Sequence, residues 1–215
     1  MDDNVRILIK CSHCGCEYEY DFPQLIIKQE DPEYANMILN DELFYIKCPD
    51  CGYMQWVDVD VAYADIEKNA AIFYCNKQSE LAVAQSDIEE TLSEYNDDGE
   101  DVFIRIVSTQ NELREKVLLL ENGLDDRVVE VLKLYALDKV RNEGHNQEFE
   151  EMRCSVLEDG HLNVDFLGSD PMHLRVKRNL YDRLFETMAP IMDECETPLE
   201  VSTEWAVQFD VANRI

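Results

Sequence analysis

One seven-residue segment occurs twice: Ile9-Lys10-Cys11-Ser12-His13-Cys14-Gly15 and Ile46-Lys47-Cys48-Pro49-Asp50-Cys51-Gly52 agree at five of seven positions. No other feature limits the fold as strongly. Two cysteines separated by two residues let both thiolates reach one ion, the following glycine permits positive φ at the turn, and loop N–H groups point at the sulfurs. Each loop supplies two ligands, and neither completes a tetrahedron alone. Pairing the loops makes Cys11, Cys14, Cys48 and Cys51 a four-cysteine site for one structural Zn²⁺ per chain, with Zn–S distances of roughly 2.3 Å. The chain between them becomes a loop closed by metal, and Pro49 stiffens its second end. Lys10 and Lys47 precede the first cysteine of each copy. They either offset the net charge of about −2 of a zinc tetrathiolate or are ordinary polar strand ends.

Other chemistries compete for these residues. Iron also accepts four thiolates, and spacing does not separate it from zinc. His13 or Cys16 in place of Cys14 as a ligand breaks the repeat. A dithiol redox motif calls for a single Cys-x-x-Cys beside a helix N-terminus, whereas each pair here leads through glycine into an aromatic strand. The eight cysteines accompany a start, Met1-Asp2-Asp3, without a basic and apolar leader, so a cytoplasmic location with reduced thiols is expected. Cys75, Cys154 and Cys195 lack a partner at ligand spacing and read as small buried hydrophobes with no assigned role.

Charge excludes other classes of function. With 47 Asp and Glu against 19 Lys and Arg, the formal net charge is −28, the wrong sign for direct nucleic-acid binding or an anionic membrane surface. The longest apolar run, Ala70 to Cys75, is far shorter than the roughly 20 residues that cross a bilayer. Residues 79–101 hold nine acids and no Lys or Arg. Ser86 to Tyr95 reads as a capped helix and Asn96-Asp97-Asp98-Gly99 as an exposed turn, together an acidic linker.

The pattern of elements predicts an α+β protein. Short strands are expected at Val5-Ile9, Tyr18-Phe22, Leu43-Ile46, Met54-Val61 and Ala71-Tyr74, with one helix started by Asp31-Pro32. Val102-Val107 is a further strand, and Thr109 with Glu112 forms a capping box that opens a helix ending near Gly123. Asp125 and Asp126 start its partner, so that a helical hairpin spans about 109–142. Beyond it, Phe149-Leu157 and Leu162-Phe166 flank the hairpin signal Asp159-Gly160, and Leu174-Val176 adds a strand. Asn179 caps a helix, and Trp205, Val207, Phe209 and Val211 alternate as a final strand. The expected organisation is a β-rich zinc-ribbon-like domain over 1–145 and a small α+β domain over 146–215.

The second knuckle and its surroundings, Asp31-Pro32-Glu33 through Leu43-Phe44 to Cys48-Pro49-Asp50-Cys51-Gly52-Tyr53, resemble the CpXC domain, a bacterial and archaeal family named for paired Cys-Pro-x-Cys motifs. Tyr63-Ala64-Asp65-Ile66-Glu67-Lys68 is similar to the segment after the family's second knuckle. Arg105-Ile106-Val107-Ser108 and Gly123-Leu124-Asp125-Asp126-Arg127 are similar to its helical end. The resemblance covers roughly residues 7–140 and departs at Ser12, where the motif favours proline. It implies the fold and the four cysteines, and it carries no activity.

No catalytic constellation emerges. His13, His145, His161 and His173 are scattered without metal spacing, and a zinc with four thiolates is closed. Gly123 to Arg127 reads as a helix stop followed by a helix start rather than a site. The leading expectation is a non-enzymatic structural-zinc protein that binds a protein partner of unknown identity. Two alternatives remain: an acidic nucleic-acid mimic that inhibits a nucleic-acid-binding enzyme, and an enzyme with a site between the two domains. Because like charges in the run repel, neutralising Glu89, Glu90, Asp97, Asp98, Glu100 and Asp101 is expected to leave thermal stability equal or higher; a large fall in melting temperature would show that the run makes specific contacts.

Overall fold

Strict alternation sets the first hairpin of the computed structural model, which describes residues 4–75, 103–195 and 198–213. Strands β1 (Asn4–Lys10) and β2 (Glu17–Pro23) pair antiparallel, so that Val5, Ile7 and Ile9 lie opposite Phe22, Tyr20 and Tyr18. The other face carries charge: Arg6 meets Asp21 at 2.8 Å, and Lys10 meets Glu17 at 3.5 Å. Strands β4 (Tyr45–Lys47) and β5 (Met54–Trp56) form a second short hairpin, with Ile46 buried on one face and Tyr45 opposite Trp56 on the other.

Between them in sequence, β3 (Leu25–Ile27) leads to helix α1 (Pro32–Leu39), with Pro32 in its first turn. Strands β6 (Val61–Asp65), β7 (Ala70–Tyr74) and β8 (Phe103–Val107) complete a four-stranded sheet of order β3-β6-β7-β8, in which β3 runs parallel to β6, β7 antiparallel to β6, and β8 parallel to β7. Both central strands are buried along their whole length. The expected single strand Met54–Val61 is interrupted after Trp56, where Asp58 and Asp60 leave the ladder; Asp58 accepts the Tyr74 hydroxyl. Asp65 is fully buried, accepting from Gln29 Nε2 at 2.7 Å and Lys28 Nζ at 3.1 Å while capping the 3₁₀ turn Ile66–Lys68.

Helix α2 (Gln110–Glu121) opens on the expected capping box: Glu112 N–H donates to Thr109 Oγ1 at 3.2 Å, and Thr109 N–H to Glu112 Oε2 at 3.0 Å. Two compact units divide inside this helix, Met1–Arg114 and Glu115–Ile215. Helix α3 (Asp126–Asn142) is the spine of the second unit. Its Val128, Val129, Val131, Leu132, Ala136 and Val140 share one core with Leu162, Val164 and Phe166.

The second unit adds an antiparallel sheet β11-β10-β9, from β9 (Glu151–Val156), β10 (Leu162–Leu167) and β11 (Met172–Val176), together with helices α4 (Arg178–Met192) and α5 (Thr203–Asn213). The final strand expected from Trp205 to Val211 is helix α5. Period-2 spacing at 205, 207 and 209 coincides with the helical set Trp205, Ala206 and Phe209, and only the latter set packs on the core, leaving Val207 exposed. Ser202, whose carbonyl accepts Ala206 N–H at 3.0 Å, is the start signal that the alternation hid. Asn179 likewise lies within the first turn of α4 rather than capping it. Among the described residues the class is α+β, with five helices and eleven strands; the expected acidic helix over 86–95 and its turn lie outside them.

Buried charge ties this unit together. Lys133 Nζ lies 2.5 Å from Glu115 and 2.9 Å from Glu130, and Lys116 Nζ lies 2.9 Å from Asp126 and 2.7 Å from the Val201 carbonyl. Glu115 also accepts Cys154 N–H at 2.6 Å, so the network joins α2, α3 and β9. Asp126, read from sequence as a helix-start residue, is thus a buried partner of Lys116, whereas Asp125 does the capping by accepting Arg127 N–H at 2.9 Å. Removing one member leaves its partners charged in the interior, so Lys133→Ala is expected to cost about 3–5 kcal/mol in denaturant unfolding. Lys139→Ala, which breaks only the exposed pair with Glu143, should cost less than about 1 kcal/mol.

Candidate metal centre

The two copies of the sequence repeat are two copies of one backbone turn, each at the tip of a hairpin. In the first, Gly15 N–H donates to Cys11 O at 2.9 Å and Cys11 N–H to Cys16 O at 2.8 Å; in the second, Gly52 N–H donates to Cys48 O at 3.0 Å and Cys48 N–H to Tyr53 O at 2.8 Å. Gly15 at φ 78° and Gly52 at φ 73° take the left-handed conformation that closes each turn, a region costly for a residue with a Cβ.

These turns bring Cys11, Cys14, Cys48 and Cys51 together, with every sulfur within 4.8 Å of the others. Across the two turns, Cys11 Sγ lies 3.7 Å from Cys51 Sγ, and Cys14 Sγ lies 3.7 Å from Cys48 Sγ. A tetrahedron with metal–sulfur bonds of roughly 2.3 Å has edges of about 3.8 Å, so the spacing matches a tetrathiolate ion and is far longer than a disulfide of about 2.05 Å. The four cysteines lie close enough to hold a metal ion. The first cysteine of each pair is buried and the second exposed.

Loop amides prepare these sulfurs for negative charge. The backbone N–H groups of Cys14 and His13 draw the Cys11 thiol down to about 6 against desolvation. Cys14 accepts from the Cys16 N–H, but desolvation and the neighbouring thiols leave it pushed up to about 12. One thiolate forms readily and discourages the next, which is what a cation relieves. Tyr18 adds a second sign of fit: its hydroxyl is buried without a hydrogen-bond partner among the described residues and lies within electrostatic reach of Cys48, Cys11 and Cys51.

Polar contacts lock the turns to each other. Ser12 N–H donates to Gln55 Oε1 at 3.0 Å, and Gln55 Nε2 reaches Lys10 O at 3.4 Å. Proline at position 12 would remove that N–H, which is the structural consequence of the departure from Cys-Pro-x-Cys. His13 stacks on Tyr53 at 5.3 Å rather than joining the sulfurs. Lys10 turns to Glu17, and the Lys47 side chain lies against Gly52. Cys154 is buried, as expected, and desolvation pushes its thiol up. Cys75 is half-buried with its sulfur 3.6 Å from Asp60 Oδ2, and Cys195 is exposed, contrary to the expectation of a buried hydrophobe. The bridging role of Gln55 went unrecognised in the sequence because no motif marks it.

A family model described as CpXC protein matches residues 9–133, more than half of the chain. No curated protein and no solved structure matches it. The matched span includes both turns, Asp65 and the whole buried ionic set from Glu115 to Lys133, and ends before β9. Because Gln55 and the Ser12 N–H share one bond, Gln55→Leu and Ser12→Pro should each cost about 0.5–1.5 kcal/mol, and the double variant little more than either, a non-additivity measurable by a double-mutant cycle in urea.

Proposed function

The chain belongs to the CpXC family, and on that membership and its converging thiols we propose that it is a non-enzymatic structural-zinc protein that serves as a protein-interaction module. The closed donor set carries this reading: with sulfur at all four corners, a bound ion has no open position for water or substrate, so its work is to pin two hairpins together. Zinc suits such a site because it has no redox chemistry and accepts tetrahedral thiolate ligands. Reduced thiols fit a cytoplasmic setting.

What the pinned hairpins display supports an interaction role. Tyr45, Tyr53, Met54 and Trp56 stand about half exposed, with fractional exposures of 45 to 52%. Aromatic residues and methionine are the types enriched where proteins meet partners. No helix among the described residues is long and apolar enough to cross a membrane.

Protein purified without a metal-binding tag is expected to contain one zinc per chain; iron at the same stoichiometry would keep the geometry and change the cofactor. Structural zinc in small peptides binds with about 10–16 kcal/mol, as much as the roughly 5–15 kcal/mol by which a domain is stable. Cys48→Ser should therefore lose the ion and both hairpins, while Cys16→Ser and Cys75→Ser retain the metal. A folded chain with no metal overturns the centre. For the interaction role, cross-linking in extract of the native cell should join a partner to the hairpin face of the zinc-loaded chain and not of the chelated chain; no cross-linked partner to the loaded form overturns that role.

A further inference from the structure

Beside the second hairpin the first unit holds a cleft of about 500 Å³, lined by Met37, Asp41, Tyr45, Trp56, Asp58 and Tyr74 and by the start of α2. Its volume falls in the range of about 300–1,000 Å³ typical of ligand sites. The lining contains two carboxylates, three aromatic rings of Tyr and Trp, and no Lys, Arg or His. Resting on the interaction-module reading, we propose that this cleft binds a lysine- or arginine-bearing peptide segment of a protein partner, with the cationic head between the aromatic rings and the carboxylates.

Three observations select a cation. Trp56 and Tyr45 are cross-strand neighbours, and the indole is held in place because Trp56 Nε1 donates to Gln110 Oε1 at 2.7 Å while Gln110 Nε2 donates to Val57 O at 3.3 Å. The N–H edge is thus committed, and the half-exposed ring lining the cleft offers the π surface that attracts ammonium and guanidinium groups. The start of α2, which would otherwise favour an anion, is already served by the chain's own carboxylate: Glu112 Oε2 accepts from Ser108 N–H at 2.9 Å, Ser108 Oγ at 3.1 Å and Thr109 N–H at 3.0 Å.

Asp41 is the third. Helix α1 ends with Glu42 N–H on Met37 O at 2.8 Å and Asp41 N–H on Ile38 O at 3.2 Å, and Asp41 itself has φ 59°. Glycine is the usual residue at this left-handed position, and a carboxylate there faces the negative end of the helix. Arg114 offsets part of this, reaching Leu39 O at 2.7 Å and Asp41 at 3.5 Å. A residue disfavoured by its own backbone and helix stands at the cleft together with Asp58, whose Oδ1 accepts the Tyr74 hydroxyl. Local conflicts of this kind are concentrated at functional sites. The overall charge of −28 steers a basic segment toward the chain, and the rings give it a place to dock.

The test uses the full zinc-loaded chain, whose two tryptophans, Trp56 and Trp205, give separate indole N–H signals in two-dimensional NMR. Acetylated and amidated Gly-Lys-Gly-Lys-Gly should shift the Trp56 signal saturably and leave that of Trp205 in place, while the glutamate counterpart shifts neither. Asp58→Asn and Asp41→Gly should each weaken binding about tenfold, and Asp41→Gly should leave the melting temperature equal or higher, since glycine suits the left-handed position. Glu67→Gln, which removes equal charge from an exposed position in the turn at the opposite end of β7 from Tyr74, should change affinity less than about twofold, as expected for a screened charge. No shift of Trp56, or equal weakening by all three variants, overturns the proposal, the second because general acidity would then be the attraction. Peptide binding at Trp56 without any cross-linked cellular partner supports the cleft and overturns the interaction role. A partner whose cross-links persist undiminished in the Asp41→Gly, Asp58→Asn double variant overturns the cleft and leaves that role standing.

Discussion

Four sulfur atoms within 4.8 Å of one another are the constraint on which the first unit depends. Thiolates at such spacing repel: loop N–H groups draw the Cys11 thiol down to about 6, while Cys14, despite the Cys16 N–H, is pushed up to about 12 by desolvation and the neighbouring thiols. A metal ion held by all four would crosslink the two hairpins. Two-stranded hairpins with strands of three to seven residues are marginal in water on their own, so what joins their tips bears on both. Gln55 and the His13–Tyr53 stack then orient the two tips with contacts of ordinary strength.

The second unit reaches cohesion by other means. A continuous apolar core, from Leu119 to Phe209, surrounds five charged side chains at 7% exposure or less: Glu115, Lys116, Asp126, Glu130 and Lys133. Each gains partners in exchange for lost water, and loss of any one leaves the remainder uncompensated. The family match ends at residue 133, yet Cys154 N–H, Val201 O and Thr203 Oγ1 satisfy the matched side chains. The helical end of the family domain therefore relies on chain beyond the match.

The four-cysteine cluster and the cleft stand at the two ends of one short hairpin. The turn at Cys48–Gly52 holds sulfur, and the paired positions 45 and 56 hold aromatic rings. The pairing register that closes this turn also places Tyr45 beside Trp56, so the geometry of the cysteine tip and that of the cleft are set together.

Where a residue's role is local, the amino-acid order alone determined it. The repeated Cys-x-x-Cys-Gly specified two identical turns, because both ligands, the positive-φ glycine and the amides lie within six residues; the Thr109–Glu112 capping box and the Asp159-Gly160 turn were legible for the same reason. Alternation revealed β1 and β10 through exposure that falls at every second residue. Only tertiary structure decided the rest. Trp205 and Phe209 satisfy periods of two and of nearly four equally over so short a stretch, and packing against α3 selected the helix, which buries Ala206 and exposes Val207. Asp126 reads in sequence as a helix start, and its burial, with that of Lys133, comes from Glu115, Lys116 and the core that closes over them. Gln55, Asp41 and Asp58 acquire meaning from residues about 15 to 75 positions away, since the contacts that define them are made by elements remote in the chain and are set by the fold rather than by neighbouring residues.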